Sequence, residues 1–427
     1  MTSRYVVPGT PEYDELRRPE IPRFAATRPA AVAPCATPAE VAGAIAHARA
    51  RGLPVAVRGG GHDFAGRSST TGGVLIDVRP MAGIAVAGDR AVIGAGARLG
   101  DVYDALFAHG RTIPAGCGPT VGIAGLTLHG GLGILGRTYG LTCDSLRAAT
   151  IVLADGRTLE SDEQREPDLF WALRGGGAPG VVTALTFATV PAPGSTAFRL
   201  GFPAGSGADV LEAWQRFAPA ADDAVAASLV LSTSSDLGYP PAVTVFGAVI
   251  GEAGPLDDLA GKLEVRPESD DRWPGSHRDT KLRLAGTDPH DGPVPADGFT
   301  YLRSEYFRST VPAAGLVAAL SAERRPGEFR ELDFSPWGGA YNRVPAAATA
   351  FPHRDATFLL KHSATVPPEA APSPWLESSF AITHPYGTGG VYPNFPEPGL
   401  PDTAYYGLNT DRLRAVHRAY DPDGHFA

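Results

Sequence analysis

The sequence predicts an α+β protein of two domains. A length of 427 residues exceeds what a single hydrophobic core usually supports. Over residues 1–195, short β-branched runs alternate with amphipathic segments around three glycine-rich loops. The composition, with 43% hydrophobic and 19% charged residues, is that of a globular protein.

The clearest predicted element of the first domain is a helix over residues 37–51. Thr37 can cap its N-terminus, and Pro38 suits the first helical position. Glu40 completes a capping box, and Gly52 follows the end of the pattern. A second helix is predicted at Asp101–Ala108, and strands at Pro54–Val57, Gly73–Asp77, Ile84–Val86, Ala91–Gly94, Ala148–Ala154 and Val181–Val190.

A stretch that reads Pro191-Ala-Pro-Gly-Ser marks the end of the first domain. Beyond it, the patterns predict helices at Asp209–Ala218 and Ala313–Ala322 and strands at Ser228–Ser232 and Pro241–Ile250. The chain is therefore expected to divide into residues 1–195, residues 196–380 and a C-terminal segment, residues 381–427.

Charge, cysteine content and hydropathy argue against several classes of function. A net charge of −9 without a basic run argues against nucleic acid or an anionic membrane as a partner. Cys35, Cys117 and Cys143 are too few and too scattered for a disulfide framework or a zinc site, so no metal is expected. The N-terminus lacks a signal-peptide core, and no apolar run reaches ~18 residues. We therefore expect a cytoplasmic monomer or homodimer.

The most informative segment is the loop Arg58-Gly-Gly-Gly-His-Asp-Phe-Ala-Gly66, which follows a predicted strand. Its consecutive glycines let bare N–H groups approach a ligand, and Arg58 is expected to add a positive charge at the rim. His62 stands at the tip of a loop otherwise poor in side chains. A plain glycine turn with an incidental histidine is the alternative. No Gly-Lys-Ser/Thr follows, and no Gly-x-Gly-x-x-Gly joins a strand to a helix, which argues against nicotinamide cofactors.

Two further glycine-rich loops and a tail motif favour a functional role for His62. They are Pro114-Ala-Gly-Cys-Gly-Pro-Thr-Val-Gly-Ile-Ala-Gly-Leu-Thr-Leu-His-Gly-Gly-Leu-Gly133, Arg174-Gly-Gly-Gly-Ala-Pro-Gly180 and Tyr392-Pro-Asn394. In this order the motifs resemble the berberine-bridge-enzyme-like flavoproteins, a branch of the vanillyl-alcohol-oxidase superfamily. The resemblance covers nearly the whole chain and is weakest over residues 196–325.

The resemblance implies a two-domain fold of the vanillyl-alcohol-oxidase type with FAD extended between the domains. Residues 1–195 would be the FAD-binding domain, and residues 196–380 a substrate domain with a large antiparallel sheet flanked by helices. Residues 381–427 would return to the FAD-binding domain. In the family, the histidine at the position of His62 is bonded to the C8α methyl of FAD, which raises the reduction potential. A histidine near FAD without a bond is the alternative.

Backbone N–H groups are expected to meet the FAD pyrophosphate, and they belong to Gly59, Gly60, Gly61, Phe64 and Ala65. Further cofactor-binding residues implied by the resemblance are Arg58, Gly116, Cys117, Gly118, Val121, Gly122, Gly125, Gly130, Gly131, Gly133, Gly180, Val182 and Asn409. Val121 would border the flavin C4a edge and allow oxygen access, with ordinary packing as the alternative. The third loop has Ala178-Pro179 where the family has Asn-Phe, so its surface is expected to differ.

Cys117 raises the question of a second flavin bond. Many relatives form one from a cysteine three residues before the valine of a Val-Gly pair. In this chain Gly118 holds that place before Val121-Gly122, and Cys117 lies one residue earlier. A shift by one residue usually turns a loop side chain elsewhere. A single link through His62 is therefore favoured, and a second link through Cys117 is the alternative.

Tyr392 and Asn394 are the predicted catalytic pair. In the family, the Tyr-x-Asn motif places a phenol near flavin N5 with the asparagine beside it. Hydride leaves an alcohol or amine carbon more easily as the O–H or N–H proton is removed, so Tyr392 is the candidate base. A phenol pKa of about 10 must be lowered to act at neutral pH, and His353, Arg354 and Tyr341 are candidates for doing so. A strand tyrosine with a bonded hydroxyl is the alternative.

The sequence therefore predicts an FAD-dependent oxidase that acts on an alcohol, amine or related C–H of a small organic substrate, of the secondary-metabolite kind. Hydride would pass to flavin N5, and O₂ would reoxidise the flavin to give H₂O₂. A dehydrogenase with another electron acceptor is one alternative, and a flavin-containing ligand-binding protein without turnover is another. Aromatic residues around Trp337 and Tyr341 favour a bulky organic substrate over a free sugar.

Overall fold

The structure is a computed structural model that describes residues 4–286 and 297–426. Helices of the N-terminal unit are α1 (Pro11–Leu16), α2 (Pro38–Ala50), α3 (Leu99–Phe107), α4 (Ile123–Leu128), α5 (Gly136–Tyr139) and α6 (Pro167–Leu173). Strands of this unit are β1 (Ala31–Pro34), β2 (Val55–Arg58), β3 (Val74–Asp77), β4 (Ile84–Ala87), β5 (Arg90–Gly94), β6 (Arg111–Thr112), β7 (Leu146–Leu153), β8 (Thr158–Asp162), β9 (Gly180–Ala188) and β10 (Val190–Pro191).

The strands of the N-terminal unit form a parallel sheet, an antiparallel sheet and a short pair. The parallel sheet has the order β1-β3-β2, the antiparallel one the order β4-β5-β9-β7-β8, and β6 pairs with β10. One hydrophobic core, which includes Ile76, Ile93 and Leu185, joins the two larger sheets. Strand β2 ends at Arg58, so the first glycine-rich loop leaves the carboxyl edge of the parallel sheet, where open α/β sheets bind ligands.

A seven-stranded antiparallel sheet dominates the second unit, in the order β14-β11-β13-β12-β16-β17-β15. Its strands are β11 (Gly194–Phe202), β12 (Val225–Ser232), β13 (Ala242–Ile250), β14 (Ser269–Ser276), β15 (Phe299–Phe307), β16 (Phe329–Pro336) and β17 (Phe358–Val366). Its helices are α7 (Gly207–Phe217), α8 (Gly254–Lys262), α9 (His277–Gly286), α10 (Ala313–Ser321), α11 (Ala340–Arg343) and α12 (Pro374–Thr383).

One face of this sheet is covered by helices. Trp214 of α7 is fully buried against the rings of Phe334 and Phe358, and its indole N–H donates to the carbonyl of Ala227 at 2.8 Å. Residues that alternate with these, such as Leu359, lie on the opposite face, toward the N-terminal unit. This second face, on which α9 packs against β11 and β14, is thus the wall that a site between the two units would use.

The C-terminal segment contains α13 (Asp402–Tyr406) and α14 (Thr410–Tyr420) and packs back on the N-terminal unit. Leu413 and Val416 of α14 share a buried cluster with Trp171 of α6. The core of the N-terminal unit and the core of the large sheet have no residue in common. We therefore propose the division into residues 1–195, 196–380 and 381–427. Within the described residues, no helix combines the length and the apolar character that crossing a bilayer requires.

The predicted α+β class and the predicted elements are confirmed. Helix α2 begins at Pro38, and its capping box is present: Thr37 Oγ1 accepts from Glu40 N–H at 3.3 Å, while Glu40 accepts from Thr37 N–H at 3.1 Å. Each predicted strand lies on an observed strand. Strand β14 had no sequence signal, because it is polar and contains Pro274. The proline is tolerated because β14 lies at the edge of the sheet, where a missing N–H donor leaves no neighbouring strand unpaired.

A buried arginine joins the two units. The Arg137 side chain is 2% exposed, and its guanidinium donates to the carbonyls of Pro219 at 3.0 Å, Ala221 at 2.6 Å and Trp337 at 2.5 Å. Three carbonyls of the second unit therefore depend on a single cation of the first. Since buried acceptors without donors are costly, this contact fixes the relative position of the units.

We predict that Arg137→Met lowers the free energy of unfolding by about 3 kcal/mol, because three buried carbonyls lose a charged donor. Chemical denaturation followed by circular dichroism measures the effect. Arg165→Met is the matched control, since Arg165 pairs with Glu160 and Asp162 on the exposed surface. Equal unfolding midpoints for the two variants would contradict the role given to Arg137.

Candidate active site

The first two glycine-rich loops touch backbone to backbone. A Cβ on Gly60 would lie 2.2 Å from the nitrogen of Gly122, and one on Gly122 would lie 2.4 Å from the nitrogen of Gly60. Any side chain at either position would therefore separate the loops. The contact places the end of β2 against the start of α4. His62 reaches across it, with Nε2 2.9 Å from Oγ1 of Thr120.

The first loop presents a set of unpaired backbone donors. In the described parts of the chain, N–H groups without a hydrogen-bond partner include those of Gly59, Gly60, Gly61 and Phe64. Several such donors in one loop suit a phosphate group. Ala65 differs, because its N–H donates to Oδ1 of Asp63 at 3.0 Å. The contact of the Ala65 N–H with the pyrophosphate stays a prediction that this bond does not support.

Arg58 lies beneath this loop and not at its rim. The side chain is 1% exposed and donates to the carbonyls of Leu16 at 3.1 Å, Arg17 at 2.6 Å and Ser68 at 3.0 Å. Burial, together with the charge of Arg79, lowers the pKa of Arg58 to about 10. The predicted positive charge at the rim is wrong, because Arg58 instead ties the N-terminal segment to the loop.

Tyr392 lies where the second glycine-rich segment meets the C-terminal segment. Its phenolic oxygen accepts from the N–H groups of Gly131 at 3.1 Å and Leu132 at 3.0 Å and from the Asn394 amide at 3.0 Å. Gly131 has a φ of 87°, a conformation that favours glycine. The Asn394 amide also donates to the carbonyl of Leu126 at 3.1 Å. The Tyr-x-Asn motif is thus fixed directly to the second loop.

The surroundings of the phenol differ from the prediction. Burial raises the pKa of Tyr392 to about 12, although the Asn394 amide and two backbone N–H groups act in the opposite direction. Arg354 cannot lower it, since its guanidinium forms a bidentate pair with Asp144 at 2.7 and 2.8 Å. Hydrogen-bond donors, and not a cation, are the groups that favour the phenolate here.

The other two predicted neighbours are also used elsewhere. His353 has one ring nitrogen 2.9 Å from the carbonyl of Tyr405, and burial lowers the pKa of His353 to about 4, so it is neutral. The Tyr341 hydroxyl accepts from the Gly133 N–H at 3.2 Å and donates to its carbonyl at 3.1 Å. The prediction that these residues depress the pKa of Tyr392 is therefore wrong.

The third glycine-rich loop joins the second loop to the second unit. The Gly177 N–H donates to the carbonyl of Leu128 at 2.9 Å, and a Cβ on Gly175 would lie 2.5 Å from the Cβ of Phe351. Gly180 is the first residue of β9. Val182 is 4% exposed and belongs to the core of the N-terminal unit, and its contact with the cofactor stays a prediction.

Asn409 serves the backbone of the second unit. Its amide donates to the carbonyls of Ala346 at 2.8 Å and Thr349 at 3.1 Å. Both amide hydrogens are used by these carbonyls, and the contact of Asn409 with the flavin ring stays a prediction. The segment that Asn409 holds leads directly to Phe351, which borders the glycine at position 130.

Two groups beside Tyr392 carry no sequence signal. Lys361 lies on the same face of the sheet as Leu359, 3.0 Å from Glu331 and 3.1 Å from Asp333, with its ammonium 5.7 Å from the centre of the Phe395 ring. Burial alone would lower the pKa of Lys361, but the two carboxylates raise it on balance. Lys361 lies inside the run Phe358-Leu-Leu-Lys-His-Ser. Only the alternation of side chains along β17 could have indicated that it shares a face with Leu359.

Tyr306 is the second such group. It is 1% exposed, its ring stacks on His353 with centroids 4.4 Å apart, and the Tyr392 ring centroid lies 6.5 Å away. Its hydroxyl has no hydrogen-bond partner within residues 4–286 and 297–426. A buried hydroxyl without a partner beside the predicted base indicates a site built for a bound polar group.

Comparison with known proteins identifies the family. The FAD binding domain family matches residues 29–162, and the berberine and berberine like family matches residues 391–427. The chain is 31% identical over 441 residues to YgaK of Bacillus subtilis, an uncharacterized FAD-linked oxidoreductase, and this covers 100% of the chain and 96% of the relative. The protein belongs to the berberine bridge enzyme-like FAD-linked oxidoreductases.

Solved structures of similar proteins confirm the fold type and the enzyme class. A chitooligosaccharide oxidase superposes with a TM-score of 0.85 at 26% identity, covering 99% of this chain and 96% of that one. The 6-hydroxy-D-nicotine oxidase of Arthrobacter nicotinovorans superposes with a TM-score of 0.86 at 25% identity, covering 100% and 96%. The predicted vanillyl-alcohol-oxidase fold, the FAD cofactor and the assignment as an oxidoreductase are thus confirmed. A ligand-binding protein without turnover finds no support among these relatives.

The residues of this berberine bridge enzyme-like protein suit FAD on their own geometry. The unpaired N–H groups of the first loop would hold the pyrophosphate, and the glycines of the second loop allow close approach. Burial lowers the pKa of His62, so the imidazole is neutral, the form that a covalent bond to a flavin methyl requires. Val121 packs beside Gly118, because a Cβ added to Gly118 would lie 3.1 Å from Cγ2 of Val121.

Cys117 makes its contacts on another side of the loop. It packs with Ala197 and Ala248 of the large sheet and lines a crevice with Tyr103 of α3 and Lys281 of α9. Gly118 stands at the position of the family's cysteine, and it has no thiol that could bond to the flavin. This arrangement supports the expectation of a single flavin link.

We predict that Gly60→Ala lowers the FAD content of the purified protein, because its Cβ would lie 2.2 Å from the backbone of the second loop. The ratio of flavin absorbance to protein absorbance measures the effect. Gly83→Ala is the matched control, since a Cβ there meets nothing within 4 Å and lies in the same unit. Full FAD content in Gly60→Ala would show that the loop contact is not needed for binding.

Proposed function

We propose that the protein is an oxidase with FAD bonded to His62 that oxidises an alcohol or amine C–H of a small organic substrate and passes the electrons to O₂. The observation that carries the proposal is that His62 and the phenol of Tyr392 both bond to the second glycine-rich segment, at Thr120 and at Gly131 and Leu132. FAD, when bound, accepts hydride from the substrate carbon and transfers the electrons to O₂ to give H₂O₂. The protein supplies orientation and the acceptor for the proton.

Tyr392 is the proposed proton acceptor. A neutral phenol oxygen has two lone pairs, yet three N–H donors reach this oxygen at 3.0–3.1 Å. The third donor is better satisfied by phenolate, which bears more electron density. The donors thus stabilise negative charge at one fixed atom, in the manner of an oxyanion hole. The phenolate would take the O–H or N–H proton of the substrate while hydride leaves the carbon.

The walls of the site favour an organic substrate with an apolar body and a polar group. Apolar rings are supplied by a buried cluster that contains Tyr306, Trp337, Tyr341, Phe351 and Tyr392. Polar contacts are available from Lys361 and its carboxylate partners next to Phe395. These properties support a tailoring oxidase of secondary metabolism. Two of the relatives are, by name, oxidases of chitooligosaccharides and of 6-hydroxy-D-nicotine, so substrate panels should contain both sugars and cyclic amines.

O₂ is the proposed electron acceptor because Val121 is a small residue at the position expected to border the flavin. Anaerobic reduction by substrate, followed by mixing with air-saturated buffer, measures flavin reoxidation directly. An oxidase is supported if the flavin is reoxidised faster than the enzyme turns over and if one H₂O₂ is released for each flavin reoxidised. Reduced flavin that persists in air but is reoxidised by a quinone would instead establish a dehydrogenase.

We predict that the denatured wild-type protein has the mass of the chain plus one FAD, and that His62→Ala loses this increment. The neutral, partly exposed imidazole of His62 is the group available for the bond. Intact-mass spectrometry under denaturing conditions gives the answer. A native chain mass with free FAD in solution would show that the cofactor is held without a bond, and retained FAD in His62→Ala would point to another attachment residue.

We predict that kcat rises tenfold per pH unit on the acid side of the Tyr392 pKa, because only the phenolate accepts a proton and burial places this pKa at about 12. Tyr392→Phe should lower kcat by about 10²–10⁴-fold and abolish the slope. Asn394→Ala removes a donor that lowers the pKa, so its profile should move to higher pH. Steady-state kinetics across pH measures both variants.

Tyr405→Phe is the control for these variants, because the Tyr405 hydroxyl bonds to the backbone of Glu397 and not to the Tyr392 network. Its pH slope should equal that of the wild type. A Tyr392→Phe enzyme that retains both kcat and the slope would exclude Tyr392 as the base.

A further inference from the structure

A buried lysine of α9, in the second unit, reaches the second glycine-rich loop. Lys281 is 2% exposed, and its ammonium donates to the carbonyls of Ala115 and, at 3.2 Å, of Gly116. The carbonyl that Gly116 provides belongs to the residue just before Cys117, and Cys117 and Lys281 line the same small crevice. The ring centre of Tyr103, which also lines this crevice, is 4.8 Å from Nζ. The crevice thus brings an amine and a thiol together.

The charge of Lys281 is unusual for a buried ammonium. Within residues 4–286 and 297–426, no carboxylate forms an ion pair with it. His277, one helical turn earlier, is 2% exposed, has no hydrogen-bond partner for either ring nitrogen in the described chain, and is neutral because burial lowers its pKa to about 3. Burial likewise lowers the pKa of Lys281, although Cys117 opposes this. The neutral, nucleophilic amine is therefore more accessible than in an exposed lysine.

Cys117 differs from the other two cysteines in its access to solvent. It is partly exposed in a surface crevice whose rim carries the ion pair of Asp104 with Arg278. Cys35 and Cys143 are 0% exposed, and burial raises the pKa of both thiols. A small oxidant can therefore reach Cys117, whereas the other two thiols are protected.

We propose that Cys117 and Lys281 form a covalent sulfur–nitrogen crosslink when the protein meets hydrogen peroxide. In the first step, the thiol and H₂O₂ give a sulfenic acid and water, so that sulfur loses two electrons and the O–O bond is reduced. In the second step, the Lys281 amine attacks this sulfur, the S–N bond forms, the S–O bond breaks, and a second water leaves. Cys–SH, Lys–NH₂ and H₂O₂ thus give Cys–S–NH–Lys and two waters.

The crosslink would join α9 to the loop that contacts Gly60 through Gly122. It would also stop oxidation at the sulfenic level, because the sulfur no longer has an exposed oxygen to be oxidised further. The source of peroxide in the cell rests on the proposed function, since reoxidation of the flavin by O₂ would release H₂O₂ close to Cys117. The reaction between Cys117 and Lys281 does not rest on the proposed function, because added peroxide tests it directly.

Treatment of the FAD-containing protein with H₂O₂, followed by alkylation, proteolysis and mass spectrometry, tests the proposal. The expected product is a linked pair of peptides containing Cys117 and Lys281 with a loss of about 2 Da, which dithiothreitol separates again. Cys35 and Cys143 should remain alkylatable only after unfolding and serve as controls within the same sample. In Lys281→Arg, which retains the charge, Cys117 should instead be trapped by dimedone or proceed to the sulfinic acid.

Sulfinic Cys117 in the wild type, or a linked pair that retains the oxygen atom, would overturn the proposal. FAD found attached to Cys117 would overturn it as well, because the thiol would then be occupied. If Lys281→Arg does not fold, the wild-type peptide map alone decides between these outcomes. Failure of the enzyme to release H₂O₂ would contradict the proposed function. The crosslink would still stand if added peroxide produced the linked peptides.

Discussion

The direct backbone contact between Gly60 and Gly122 is the constraint on which the rest of the site depends. A Cβ on either residue would overlap the other loop, at 2.2 and 2.4 Å. Because the loops touch, His62 reaches Thr120, and the donors of the first loop face a site that the second loop also borders. The second loop leads through α4 to Gly131, whose N–H meets Tyr392. One steric contact therefore positions both the proposed attachment residue and the proposed proton acceptor.

The chemistry of Tyr392 rests on two opposed effects of burial. Removal from water raises its pKa to about 12, yet the same low dielectric strengthens each N–H bond to the phenolic oxygen. A nearby cation would lower the pKa further, but Arg354 is neutralised by Asp144 and the nearby imidazole of His353 is uncharged. The site thus uses fixed dipoles, whose positions are set by the backbone and do not change with ionic strength.

Much of the fold could be predicted because local signals and tertiary structure agree. The capping box of Thr37 and Glu40 placed α2, and the three glycine-rich loops with Tyr392-Pro-Asn394 identified the family. The roles of single side chains were harder to predict. Arg58 follows three β-branched or small residues and is buried because the N-terminal segment folds over it, a long-range contact that no local pattern encodes. Lys361 and Tyr306 acquire their roles only from the pairing of strands that lie far apart in sequence.

The positions of the three cysteines are consistent with an enzyme that generates peroxide. Two thiols lie in the core, where burial suppresses the thiolate that peroxide attacks. The third precedes Gly118, which occupies the family's flavin-bonding position, and it turns instead toward Lys281. The same one-residue displacement that argues against a second flavin bond thus brings the thiol and the amine into one crevice. Since a second bond would further tie the flavin to the loop, its loss leaves His62 as the sole proposed covalent anchor and makes the loop contact at Gly60 correspondingly more important.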